Sequence, residues 1–292
     1  MRLAPVGTNI VNVDRMIALE KRVRSPIVDG LFYPEDLSGT LTFMRNLGLE
    51  RGKGGLAQAI VAPHGAWEIS GSLAGAAFAS AAGRSGRKSP SRVVIMGPIH
   101  ECRTEGIFLS NSHLFQTPLG EIPVDQEASG WLETCSQLIE VNDIPHLQEH
   151  SIEVLLPFVK YCFPHASIVP VLMGKPREKY INTLAHALRV VFEPVKKETL
   201  FVISFNMTAL SGWAAARDMA VECLRLFREG RTGELGAALH EGRIAGCGGA
   251  LVAALLKSGL VDGALPGLAS DSLLSAWGEK DRTVYYGAFS FG

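Results

Sequence analysis

At 292 residues, with 47% hydrophobic and 20% charged side chains, the chain has the composition of a soluble globular protein and room for one large α/β domain or two small ones. Its 28 basic and 29 acidic side chains leave a formal net charge of -1, which argues against the basic face that nucleic-acid binding requires. No stretch approaches the roughly 18 apolar residues of a membrane span. The start, Met1–Gly7, lacks the apolar run of a secretory signal, and five scattered cysteines without a CxxC pair read as the reduced thiols of a cytoplasmic protein.

Residues 1–23 read as a lead-in segment, and a single α/β domain is expected over 24–292, because no repeat or composition break divides it. Leu37, Leu41, Met44 and Leu47 fall at helical spacing over 35–48, and Gly48 supplies a stop. Lys53–Gly55 reads as a turn, and Leu56–Ala62 as a buried strand. Residues 70–82 are rich in Gly, Ala and Ser and suit a tightly packed helix; after Ser89 and Pro90, Arg92–Met96 is the next strand. Strand, helix and strand in this order form a βαβ unit, so the strands near Ile60 and Val94 are expected to pair in parallel. Further along, Gly106–Ser110 suits a short strand, Asp125–Ile139 a helix, and Ser151–Cys162 a helix capped near His150 or Ser151. Ser167–Met173 and Leu200–Ser204 are strands with the helix Arg177–Val191 between them. Two or three helices fill 213–258, and Thr283–Phe291 closes the chain as one strand. The expected architecture is a central, largely parallel or mixed sheet with helices on both faces.

Two apolar runs stop at a proline and deliver a histidine just beyond it: Ile60–Ala62 with Pro63 and His64, and Val93–Gly97 with Pro98 and His100. Ligands of open α/β sheets bind outside the carboxyl ends of the strands, so two histidines placed there suit one shared metal ion or substrate. Either alone reads more simply as a residue that hydrogen-bonds a loop. Neutral imidazole ligates zinc, copper and iron. Cys247, between Gly246 and Gly248 and just before or within the first turn of a helix, is a third candidate. A thiol at a helix N-terminus ionises readily, and thiolate is the form that binds metal. Spacing alone favours a packing role for it. In Glu149–Glu153, the carboxylates of Glu149 and Glu153 flank His150, an arrangement suited to a general base or to the support of a ligand, or else to helix capping.

The order of several motifs is more specific than any one of them. Phe32–Pro34, Ala62–Gly65, Ser70 and Gly71, Gly97–His100, Thr117–Glu121, Pro123–Gln126, Glu149–Glu153 with Leu156 and Pro157, Phe201–Ser204 and Tyr285–Ala288 follow one another along the chain. In this the chain resembles the Memo family, whose prokaryotic members are called AmmeMemoRadiSam system protein B. The resemblance implies a fold like that of the class III extradiol dioxygenases and a metal pocket of His64, His100 and Cys247. It further implies that His150 lines the same pocket; with the reading of the 149–153 segment, His150 and Glu153 are the expected catalytic residues, and Glu149, Asn206 and Trp67 the expected lining. The implied cofactor is a divalent metal, iron or copper, with zinc also suited to the donors. The implied activity is redox or dioxygenase-like, on a small molecule or peptide.

The chain departs from the family pattern after Ser204. Relatives continue Ser-Asp-Phe-x-His, whereas this chain has Asn206 and Ala209 in place of the acid and the histidine. An amide carries no charge and alanine offers no ligand. The alternative reading is therefore a catalytically silent binding module that uses the same pocket.

Overall fold

The apolar runs of the sequence are strands buried on both faces, as a sheet covered by helices on each side requires. The structure, a computed structural model, describes residues 21–49, 57–82, 89–101, 103–210, 213–229, 231–241, 243–244, 246–261 and 283–292. The first twenty residues of the lead-in and the expected turn at 53–55 lie outside the described residues.

In chain order the first elements are β1 (Val23–Arg24), α1 (Leu37–Asn46), β2 (Ala59–Ala62), α2 (Trp67–Ala81), β3 (Arg92–Pro98), β4 (Ile107–Leu109), β5 (Leu114–Thr117) and β6 (Gly120–Pro123). Next come α3 (Gln126–Thr134), β7 (Ile139–Val141), α4 (Asp143–Gln148), α5 (Leu156–Cys162), β8 (Ser167–Met173), α6 (Glu178–Phe192) and β9 (Thr199–Ser204). The chain ends with β10 (Thr208–Leu210), α7 (Trp213–Arg228), α8 (Thr232–His240), α9 (Gly249–Ser258), β11 (Thr283–Tyr285) and β12 (Phe289–Phe291). Among the described residues no helix is long and apolar enough to cross a membrane.

Among the described residues the main sheet has seven strands in the order β12-β2-β9-β3-β8-β4-β7. Its middle strands β2, β9, β3 and β8 run parallel, while β12 and β4 are antiparallel to their neighbours β2 and β8. Alternate residues of each middle strand enter different cores. Ala59, Val61, Val94, Met96, Val169, Val171, Phe201 and Ile203 pack with α6 to α9, whereas Ile60, Ala62, Val93, Ile95, Leu200 and Val202 pack with α1, α2 and α5. This is the period-2 alternation of a strand, read on both sides. The α/β architecture with helices on both faces is thereby established.

Several local expectations need correction. The strands β2 and β3 are parallel in direction but do not pair, because β9 lies between them and bonds to both. A helical crossover fixes the direction of the next strand, not its distance along the sheet, and a later strand can fill the gap. The closing run Thr283–Phe291 is two strands in two sheets: β11 pairs with β10 and β12 pairs with β2. The helix expected over Asp125–Ile139 stops at Thr134, so that Ile139 begins β7. The helix expected from Ser151 begins as a 3-10 turn, Glu153–Leu155, and becomes α-helical at Leu156, with Pro157 in its first turn, where a missing N–H costs nothing.

The end of the lead-in is held inside the domain. β1 pairs in parallel with β5, and Arg24 is almost wholly buried. Its guanidinium pairs with Glu153 and donates to the carbonyls of His146 and Glu149, each at 3.0 Å. Glu153 also accepts from the Ile27 and Val28 amides at 2.9 Å and from the Tyr33 hydroxyl at 2.8 Å. A buried pair is costly to break because the surviving charge has no substitute partner. We expect Arg24→Ala to lower the unfolding free energy by about 3–5 kcal/mol in denaturant titration. A loss below about 1 kcal/mol, the range of exposed pairs, would show that Glu153 does not depend on it.

Candidate metal centre at the carboxyl edge of the sheet

β2 ends at Ala62, and Pro63 carries the chain off the sheet, so that His64 stands beyond the strand end, buried with 1% of its surface exposed. Its Nδ1 lies 2.6 Å from Ser204 Oγ, at the end of the neighbouring β9. The Ser204 hydroxyl donates its one proton to the Ser151 carbonyl at 2.6 Å. It therefore accepts from His64 Nδ1–H, and the other ring nitrogen, Nε2, faces Cys247.

His100 follows β3 in the same way and is about two-fifths exposed. Its Nδ1 lies 3.0 Å from Glu149 Oε1, and its amide donates to Glu149 Oε2 at 2.7 Å. Glu149 also accepts from the His150 and Ser151 amides at 2.8 and 2.9 Å, and its Oε1 is 3.2 Å from His150 Nδ1. Burial pushes the Glu149 carboxyl up, but these partners, His100 first, outweigh burial and hold it at about 2. A carboxylate on the far nitrogen of an imidazole orients the ring and raises its basicity toward a metal.

Cys247 arrives from far along the chain. Its backbone forms an antiparallel bridge with Asn206, whose amide donates to the Cys247 carbonyl at 3.2 Å. Close seating requires glycine on both sides. A Cβ on Gly246 would lie 2.3 Å from the Phe205 ring, and one on Gly248, at φ +95°, would lie 2.3 Å from the Ser204 carbonyl oxygen. Gly248 then caps α9, so Cys247 precedes the helix by two residues.

The three side chains converge. Cys247 Sγ is 3.4 Å from His64 Nε2, the His64 and His100 ring centroids are 5.2 Å apart, and the ligand atoms of all three lie within 4.8 Å of one another. Bonds of about 2.3 Å to sulfur and 2.0 Å to nitrogen, at a tetrahedral angle, set S···N at about 3.5 Å. The observed sulfur–nitrogen separation fits a shared ion, and the cluster is able to hold one. Burial pushes the Cys247 thiol up, yet the two imidazoles overcome it and lower it to about 5. His100 rises to about 10 through its hydrogen bonds with Cys247 and Glu149, against burial. Both shifts describe one thiolate–imidazolium pair.

The remaining site candidates separate. His150 stacks on His100 with centroids 5.0 Å apart and lies 6.0 Å from His64; burial lowers it to about 4, so it is neutral near pH 7. His100, Glu149 and His150 form a second group of metal-ligand type. Asn206 is beside the cluster, but its Oδ1 accepts from the His64 amide at 3.1 Å. Ala209 lies in β10. Glu153 is not brought into contact with the three; both its oxygens are engaged by Arg24, Tyr33 and the amides of Ile27 and Val28. Trp67 is a core residue rather than a pocket wall: it is 3% exposed, packs against Tyr33, Phe43 and Phe158, and donates to the Val154 carbonyl at 3.0 Å. Ser204, Ser151 and Arg24 are supports that spacing gave no reason to select.

Fold and site together define an open α/β protein with a two-histidine, one-cysteine cluster at the carboxyl edge of its sheet. A family model described as Memo-like protein matches residues 24–264. Among relatives named MEMO1 family protein, that of Thermotoga neapolitana is 36% identical over 179 residues, covering 57% of this chain and 64% of its own length. That of Pyrococcus abyssi is 31% identical over 219 residues, covering 71% and 73%, and that of Aeropyrum pernix 28% over 280 residues, covering 91% and 99%. The chain therefore spans less than two thirds of the Thermotoga relative and nearly all of the Aeropyrum one. The chain belongs to the Memo family.

The thiolate is directly testable. In metal-free protein, the rate of Cys247 alkylation by iodoacetamide should fall with a midpoint near pH 5, against about 8.5 for a free thiol. His64→Ala should move that midpoint upward. A wild-type midpoint near 8 would contradict the pairing.

Proposed function

We propose that this protein binds a divalent metal, iron or copper, through His64, His100 and Cys247, with redox or dioxygenase-like chemistry on a small molecule. Zinc suits the same mixed nitrogen and sulfur donors. The observation that carries the reading is the direction of the two rings. Each imidazole has its Nδ1 engaged, His64 by Ser204 and His100 by Glu149; His64 meets Cys247 Sγ through Nε2 at 3.4 Å, and a ligand atom of His100 lies within 4.8 Å of both. A metal held by three protein ligands, with a position left open, supplies a Lewis acid or an electron-exchange centre.

The residues around it have separable tasks. Ser204 holds the His64 tautomer, and Glu149 orients His100 while remaining ionised. His150, neutral and at the rim, accepts a proton from a molecule bound at the cluster and returns it. Glu153 acts indirectly, by anchoring the segment that carries Glu149 and His150. A cytoplasmic location agrees with the free cysteines.

A second reading, a catalytically silent binding module, draws on Asn206. Its neutral amide already serves the His64 peptide group, so it adds no charge to the cluster. The metal reading predicts weaker binding than an aspartate-bearing relative has, with heavier dependence on the thiolate. The test is metal content and affinity of protein purified without a histidine tag. Cys247→Ser should lower affinity about 100-fold or more, beyond the usual cost of losing an outer-shell partner. Asn206→Asp keeps the acceptor for His64 and should raise affinity roughly tenfold through its added charge. Unchanged affinity in Cys247→Ser would make the cysteine a packing residue and leave the binding module as the better account.

A further inference from the structure

A cavity of about 420 Å³ adjoins the cluster and has Cys247 in its wall. Ile99 and Met173 reach it from the ends of β3 and β8, Leu239 and Ile244 from the end of α8 and the segment after it, and Leu251 from α9. Gly246, Gly248 and Gly249 contribute backbone alone, so the immediate neighbours of Cys247 place no side chains in the space. Two charged residues stand at this cavity, and each is engaged. Lys175 Nζ pairs with Glu105 at 3.4 Å, and Glu101 Oε1 accepts from the Arg103 amide at 3.0 Å.

We propose that this cavity is the subsite for the uncharged, apolar body of a small molecule whose reacting end lies at the His64–His100–Cys247 cluster. The inference rests on the reading of that cluster as the functional centre. Three observations carry it. The volume falls in the range of small-molecule pockets, about 300–1,000 Å³. Apart from the engaged Lys175 and Glu101, the walls are apolar side chains and bare backbone, so burial of apolar surface is the main attraction they offer. The single lysine is already opposed by a carboxylate, so a phosphorylated or polyanionic ligand meets no uncompensated positive charge here. Cys247 belongs to both the cluster and the cavity, which joins binding to chemistry without an intervening side chain.

Affinity labelling of Cys247 tests this on the unsubstituted full chain. N-methyl-, N-butyl- and N-hexyl-iodoacetamide each transfer their acetamide carbon to the sulfur with loss of iodide, and differ in the body the cavity would hold. Alkylation of the Cys247 peptide is followed by mass spectrometry and normalised to glutathione with the same reagent. The subsite predicts saturation kinetics and a rate at least tenfold higher for N-hexyl than for N-methyl, a conservative share of the roughly fourfold gain expected per fully buried methylene. N-hexylacetamide, which has the body and no leaving group, should protect competitively, and Ala250→Trp should shrink the dependence on chain length. A flat series without protection in the unsubstituted protein overturns the proposal. Repeating the series with zinc(II) separates the two readings. Protection by zinc with a flat series leaves the metal centre and removes the subsite, whereas chain-length dependence without zinc protection removes the metal centre and leaves an apolar ligand site at Cys247.

Discussion

The seating of Gly246–Gly249 against the carboxyl end of β9 is the constraint on which the site depends. Only bare backbone fits there, since a Cβ at Gly246 or Gly248 would enter the Phe205 ring or the Ser204 carbonyl. That contact brings Cys247, 183 residues further along the chain, to within 3.4 Å of His64. It also puts the sulfur where two imidazoles offset the burial that would otherwise keep it protonated. The same loop starts α9, whose apolar residues pack into one of the two cores, so the position of the thiolate is coupled to the packing of a helix.

A second polar framework holds the histidines. Glu149 gathers three backbone amides and two imidazoles around one buried carboxylate, which stays ionised because those partners replace its lost hydration. Behind it, Arg24 ties the carbonyls of His146 and Glu149 to Glu153, and Glu153 ties Ile27 and Val28 to the same segment. Hydrogen bonds to charged groups contribute about 1.5–3 kcal/mol each, so the segment has few ways to shift without losing several of them. Glu149 thereby orients the rings of His100 and His150, while Ser204 holds that of His64.

Much of this was readable from sequence for definite reasons. Runs such as Val93–Met96, Ile168–Met173 and Leu200–Ile203 are apolar throughout because both faces are covered, and that signal survives without a partner in view. His64 and His100 stand out by position, at strand ends, whereas position before a helix makes Cys247 only a candidate and the family resemblance supplies its metal role. The neighbour relation of β2 and β3 was not legible, because a crossover of one helix is compatible with an intervening strand. The packing of Trp67 against Tyr33, Phe43 and Phe158 is not legible either, since adjacency to His64 in sequence says nothing of the side to which α2 turns its first residue. Ser204 and Arg24 left no local trace: their hydrogen bonds span 53 and 129 residues.

X-ray absorption at the zinc edge of the zinc-loaded, tag-free protein tests the three-ligand centre most directly. The account predicts one sulfur at about 2.3 Å beside nitrogen or oxygen ligands at about 2.0 Å, with the sulfur shell lost in Cys247→Ser. A wild-type spectrum with nitrogen and oxygen alone, or a sulfur shell that persists in the variant, would contradict it.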